Sequence, residues 1–148
     1  MRFCIQVVEQ ASVDIVGKRV SSIDRGLLVL AGIGKEDDES VADKMIAKLL
    51  KMRIFQDENG KTNLSIKDID GEMLLVSQFT LYADCRHGTR PSFTDSMEPK
   101  RAEELYNYVA DSIRPQVRKL DLGVFGADMK VSLINDGPFT IFLDSADI

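Results

Sequence analysis

Three side chains able to hydrogen-bond to an acyl group, or to attack one, stand within four positions: Ser77, Gln78 and Thr80. They interrupt an otherwise apolar run, Glu72-Met73-Leu74-Leu75-Val76-Ser77-Gln78-Phe79-Thr80-Leu81-Tyr82. Met73 to Val76, with Phe79, read as a strand buried on both faces. Polar side chains at the end of such a strand cost free energy unless they are paired. The three therefore mark a hydrogen-bond network or a site. If the strand runs on, Gln78 and Thr80 point one way and Ser77 the other, unless a bulge or bend re-aims them. A second polar break, Asn135-Asp136-Gly137-Pro138-Phe139-Thr140, separates Val131-Ser132-Leu133-Ile134 from Ile141-Phe142-Leu143. Proline cannot donate to a strand ladder, and a Gly-Pro bond adopts the cis form at modest cost. Alone, Gly137-Pro138 reads as a hairpin turn between two strands. We read the two breaks together as one active site.

A hydroxyl nucleophile needs a base beside it. The single histidine, His87, lies in a polar loop ten residues beyond Ser77. A triad with Asp84 or Asp136 is conceivable, but no G-x-S-x-G elbow surrounds Ser77. His87 is better read as solvated or near a phosphate. Cys85 sits beside Arg86 and His87, which favours its thiolate, yet it reads as a bystander and Cys4 as a small core residue. One His and two Cys give no structural zinc spacing, so neither metal nor cofactor is expected. The net charge of −5 argues against general nucleic-acid affinity. It leaves room for a local basic group at Arg86, His87 and Arg90. Gly32-Ile33-Gly34-Lys35 is not a phosphate loop: it lacks the GxxxxGK[ST] pattern, and acidic residues Glu36 to Glu39 follow. It reads as a plain turn.

The elements that must position these groups follow from periodicity. Arg2 to Val8 reads as a strand, and Ser12–Val16 with Arg19–Ile23 as a hairpin about Gly17-Lys18. Leu27 to Ala31 reads as a central strand. Val41, Met45, Ile46, Leu49 and Leu50 at helical spacing predict a first helix from about Ser40. Its lysines read as a solvated face. Arg53 to Phe55 reads as a short strand. Ser96 to Ile113 reads as a second helix, capped by Ser96, with Ala102, Leu105, Tyr106 and Val109 buried. Val117 to Leu122, Met129 to Ile134 and Phe139 to Leu143 complete the strands. The chain of 148 residues, 44% hydrophobic and 29% charged, is expected to form one domain over residues 1–148. The expected class is α+β: a mostly antiparallel or mixed sheet packed with two main helices. No apolar run is long enough for a membrane. There is no signal-peptide layout, and the two cysteines are far apart, so a reduced cytoplasmic setting is expected.

SQFTLYAD at Ser77–Asp84, RPSF at Arg90–Phe93, FGADM at Phe125–Met129 and NDGPFT at Asn135–Thr140 together resemble the D-aminoacyl-tRNA deacylases. GLLVLAGI at Gly26–Ile33 and RIFQDENGK at Arg53–Lys61 extend the resemblance over essentially the whole chain. It implies a cytoplasmic homodimer that hydrolyses the ester between a D-amino acid, or glycine, and the 3′-terminal adenosine of tRNA. The site then lies at the dimer interface. The resemblance gives Ser77, Gln78 and Thr80 as the catalytic segment. It gives Gly137 and Pro138, entering from the partner with a cis bond, as a main-chain wall that rejects L-amino acids. Phe125, Ala127, Met129 and Asn135 complete the expected substrate contacts, with Phe125 near the terminal adenine. Arg86, His87 and Arg90 become the candidates for tRNA phosphates. Either Thr80 is the nucleophile, or the 2′-hydroxyl of the RNA assists water. One position departs: the family usually has Arg after the Gln of its first strand, where this chain has Gln6-Val7. That Arg is associated with fastening the Gly-Pro loop, so its absence bears on the rigidity of the chiral wall and on the rejection of L-substrates or glycine, unless a neighbouring cation takes its place. Two other readings compete: an RNA-binding module without catalysis, and a small esterase using Thr80 or Ser77 on metabolites.

Overall fold

The structure is a computed structural model that describes residues 1–148. Its strands are β1 (Arg2–Ile15), β2 (Lys18–Ile23), β3 (Gly26–Gly32), β4 (Phe55–Gln56), β5 (Thr62–Leu64), β6 (Glu72–Ser77), β7 (Lys119–Leu122) and β8 (Lys130–Asp144). Helix α1 (Glu39–Lys51) follows β3, and α2 (Pro99–Ile113) precedes β7. The main sheet is mixed. β6 lies parallel to β3 on one side and to β7 on the other, while β1 runs antiparallel to β2, β3 and β8.

The two segments expected at the N-terminus are one strand, β1. Its first half pairs with β3 and its second half with β2, and β8 runs along its other side. Its register with β8 slips between Gln6 and Val8 and again between Val8 and Gln10. Across this kink, Phe3, Ile5 and Val7 enter a large core under the helices, whereas Val8, Ala11 and Val13 enter a second, smaller core. Alternate residues of β3 and β6 are shared between these cores: Leu27, Val29, Met73 and Leu75 face the first, Leu28, Leu74 and Val76 the second. A strand covered on both faces needs apolar side chains at every position, which is why these segments read as unbroken apolar runs.

Helix α1 starts where expected, with the Asp38 carboxylate accepting from Val41 N–H at 2.8 Å. Glu39 in the first turn and Lys48 and Lys51 in the last suit the helix dipole. The second helix starts later than the sequence suggests. Its cap is Glu98, which accepts from Arg101 N–H at 2.7 Å and Lys100 N–H at 3.1 Å, with Pro99 in the first turn. Ser96 donates instead to the Phe93 carbonyl at 2.8 Å and bridges to Gly34. The expected stripe Ala102, Leu105, Tyr106 and Val109 is buried.

The Gly-Pro segment is also not a hairpin turn. Residues on both sides of it, Asn135 and Thr140, pair with the same strand β1. Four residues of β8, 136 to 139, stand opposite the single Val7 and bulge from one continuous strand. The Gly137-Pro138 bond is cis. No helix is long and apolar enough to cross a membrane.

Candidate active site

Strand β6 stops at Ser77. The Gln78 N–H makes the last bond toward β3, to the Ala31 carbonyl at 2.7 Å, and the chain then curls into a 3-10 turn over Phe79–Tyr82. The extended strand expected through Thr80 is thus replaced by a bend. Phe79, expected in the core, is 58% exposed. Two glycines make room for this turn. A Cβ on Gly32 would lie 2.9 Å from Leu81 Cβ and 3.1 Å from the Gln78 carbonyl oxygen, and one on Gly34 would strike the Tyr82 ring. The turn is also tied from outside. The Arg2 guanidinium donates to the Leu81 carbonyl at 2.9 Å and to Asp144 at 2.8 Å, and covers the Tyr82 ring at 4.4 Å. Burial, then the nearby Asp37 carboxylate, pushes the Tyr82 hydroxyl well above its ordinary pKa.

The bend brings Gln78 back onto Thr80, and its side-chain N–H donates to the Thr80 hydroxyl oxygen. Ser77 and Thr80 make no hydrogen bond to His87, to a carboxylate or to an amine. The hydroxyls are therefore held in a neutral setting, without the base that a serine-type nucleophile requires. The N–H groups of Phe79 and Thr80 open the turn, so neither has an acceptor within it.

Ser77, Gln78 and Phe79 border a cleft of about 640 Å³. The far wall is the segment between β7 and β8. There Ala127 N–H bonds back to the Val124 carbonyl at 3.1 Å, a turn that places Gly126 at φ +74°. Gly123 lets the Met129 sulfur approach, and this sulfur accepts the Val124 N–H at 3.3 Å. The Phe125 ring leans on Tyr106 at 5.9 Å, and the buried Tyr106 hydroxyl donates to the Leu75 carbonyl at 2.7 Å. Phe93 meets Phe79 edge-on at 5.0 Å over the mouth of the cleft.

A family model for D-Tyr-tRNA(Tyr) deacylase matches residues 4–144. The chain belongs to this deacylase family. It is 52% identical to the D-aminoacyl-tRNA deacylase of Thermosipho melanesiensis, over 100% of this chain and 99% of the relative. It is 54% identical to that of Lactobacillus acidophilus, over 97% and 99% of the two chains. Among solved structures it is similar to the c-Myc DNA Unwinding Element Binding Protein, with a TM-score of 0.93 and 40% identity over 97% and 98% of the two chains. A probable eukaryotic D-amino acid tRNA deacylase has the same fold, with a TM-score of 0.81 at 18% identity over 96% and 97% of the chains. Membership makes the protein an enzyme of the hydrolase class.

In this deacylase fold Ser77, Gln78, Phe125, Ala127 and Met129 share one cleft, and Thr80 adjoins it through Gln78. Asn135, Gly137 and Pro138 do not line it. Gly137 and Pro138 project, exposed, from β8. Asn135 turns inward: its amide nitrogen donates to the Val7 carbonyl at 2.9 Å and to the Phe139 carbonyl at 3.0 Å. No cation bonds to the segment, so no charged group fastens it in place of Arg, and the Val7 side chain lies in the core. Arg86, His87 and Arg90 ride on an exposed loop closed by reciprocal backbone bonds between Asp84 and Ser92 at 2.8 and 2.9 Å. Arg86 already grips Asp84 with two bonds of 2.8 and 2.7 Å, and its side chain, helped by its own N–H, holds the Asp84 carboxyl at about 2. Sequence reasoning missed the wall formed by Met97, Pro99 and Ala102 at the start of α2. The signal was non-local: Met97 N–H bonds to the Ile33 carbonyl at 3.0 Å, which draws α2 to the end of β3.

Proposed function

We propose that the protein hydrolyses the ester joining a D-amino acid to the 3′-terminal adenosine of tRNA, releasing the free amino acid and the tRNA, with glycyl-tRNA as a second substrate. The observation that carries this reading is the pairing of an apolar cleft with neutral hydroxyl and amide groups at one end, Ser77, Gln78 and Thr80. An aminoacyl ester is already activated, so its hydrolysis needs less than a peptide does. Gln78 and Thr80 orient the attacking water, assisted by the RNA 2′-hydroxyl. Ser77 and the free N–H groups of the 3-10 turn stabilise the oxyanion, a contribution of about 3 kcal/mol per donor. The aromatic face of Phe125, backed by Tyr106, suits the terminal adenine. Without a base at either hydroxyl, a general esterase is the poorer reading.

The working form in this reading is a homodimer in the cytoplasm. Residues of β8 on the sheet's edge expose Ile134 (46%) and Phe142 (55%), the kind of surface another chain covers. The projecting Gly137 and Pro138 of one protomer then enter the cleft of its partner. A backbone wall separates mirror-image substrates better than a flexible apolar pocket, because both enantiomers carry the same groups. The deciding measurement is release of D-tyrosine and L-tyrosine from matched tRNAs at several enzyme concentrations. Fast D-release with the L-ester intact supports the reading, and loss of both esters means a slack wall. Release of neither moves the assignment to an RNA-binding module. A Thr80→Ala variant that keeps the wild-type rate excludes Thr80 as nucleophile.

A further inference from the structure

We propose that Asn135 is a positioning residue that fixes the Gly137-Pro138 segment to β1 and so sets the preference between D and L esters. This rests on the deacylase reading above, in which that segment is the chiral wall. Residues 136 to 139 have no ladder partner, because four of them face only Val7. Left to itself, an exposed bulge containing glycine keeps much of its conformational freedom. Here the Asn135 side chain spans its base. One amide N–H goes to the Val7 carbonyl across the sheet, and the other to the Phe139 carbonyl at the far end of the bulge. The Thr140 hydroxyl donates to the Asn135 side-chain oxygen at 3.4 Å and accepts from the Gln6 amide at 3.2 Å. Both donors and the acceptor of Asn135 are therefore used. The network joins Gln6 and Val7 of β1 to both ends of the bulge without a formal charge.

The test is Asn135→Asp, which keeps the shape but replaces the doubly donating nitrogen with a carboxylate oxygen facing two carbonyls, alongside the milder Thr140→Val. Two readouts are taken: backbone hydrogen exchange over residues 136–140 without substrate, and the ratio of D- to L-tyrosyl-tRNA hydrolysis. Asn135→Asp is expected to speed exchange in this segment and to lower the ratio about tenfold or more, as small misplacements of a site wall do. Thr140→Val is expected to do the same to a smaller extent. The wild-type ratio is expected to stay constant between low and high salt, since a neutral network is not screened. Unchanged exchange in a folded Asn135→Asp refutes the clamp. Faster exchange with an unchanged ratio refutes its role in selectivity, and so does a wild-type ratio that falls with salt. A wild type that releases neither ester refutes the deacylase reading, and with it the selectivity claim, while the exchange result still decides the clamp.

Discussion

Replacing Gly32 by alanine tests whether the glycines at the end of β3 exist to seat the Phe79–Tyr82 turn. The added Cβ would stand 2.9 Å from Leu81 Cβ and 3.1 Å from the Gln78 carbonyl oxygen, with Tyr82 at 3.3 Å. The first contact falls about half an ångström short of ordinary packing, and the second involves backbone, which cannot swing aside. Overpacking of this kind costs about 1–3 kcal/mol, a loss of roughly 3–10 °C in Tm for a chain of this size. The turn must move, and Gln78 and Thr80 move with it, so the rate should fall about 10- to 100-fold. Single-turnover release of D-tyrosine from tRNA, with thermal unfolding in parallel, gives both numbers. Gly17→Ala is the matched control. Gly17 has φ +72° and open space around it, so alanine there costs about 1–2 kcal/mol of backbone strain and should leave the rate alone. A Gly32→Ala variant with wild-type rate and Tm would refute the packing argument. A rate loss of equal size in Gly17→Ala would show that lost stability, not displacement, is being read.

Glu72 opens the site strand and is only 5% exposed. Burial by itself would raise its pKa, but the Asp24 N–H and the Arg118 guanidinium outweigh that and leave it lowered. The stability it contributes is thus present above the ordinary glutamate value of about 4.3 and is lost as pH falls through the lower folded value. Thermal unfolding should show a loss on acidification below that window which is weaker in Glu72→Gln. Tyr106→Phe removes one of two donors to the Leu75 carbonyl, which keeps the Gly123 N–H at 2.9 Å, and should cost about 0.5–1.5 kcal/mol in denaturant unfolding. Arg90→Ala should weaken tRNA binding more than Arg86→Ala, because Asp84 already occupies Arg86. Each phosphate left without its cation should reduce the salt dependence of binding by about 0.7–0.9 in the log–log slope. Unchanged affinity in the double variant removes this loop from the tRNA-binding surface.

What the sequence made legible was whatever depends on one element alone. The period of Val41 to Leu50 defines α1, and the unbroken apolar run at Leu27–Ala31 defines a strand covered on both faces. What it concealed depends on a partner across the fold. Ser77-Gln78-Phe79-Thr80 looks like more strand, and only the hollow over Gly32 and Gly34 explains why it curls and exposes Phe79. Ser96 is a good cap by type, but the Phe93 carbonyl takes its hydroxyl, and Glu98 caps the helix instead. Gly137-Pro138 has the composition of a turn, and only the shared pairing of both flanks with β1 shows a bulge in one strand. Ser77, Gln78, Phe125, Ala127 and Met129 border one cleft although they are far apart in sequence, a juxtaposition that only the resemblance, and no local pattern, suggested.

The pairing of Arg2 with Asp144, which closes one end of the sheet's longest ladder and joins residues 142 positions apart, bears on how the protein is made. On the ribosome β1 emerges long before β8, so one flank of β1 stays bare until Lys130–Asp144 have been made. β6 waits in the same way, since its neighbour β7 is made more than forty residues later. Such a high contact order favours slow closure, and an unfinished chain presents a long strand edge open to other chains. Chains cut short before Lys130 should therefore appear in the insoluble fraction rather than as a weak enzyme.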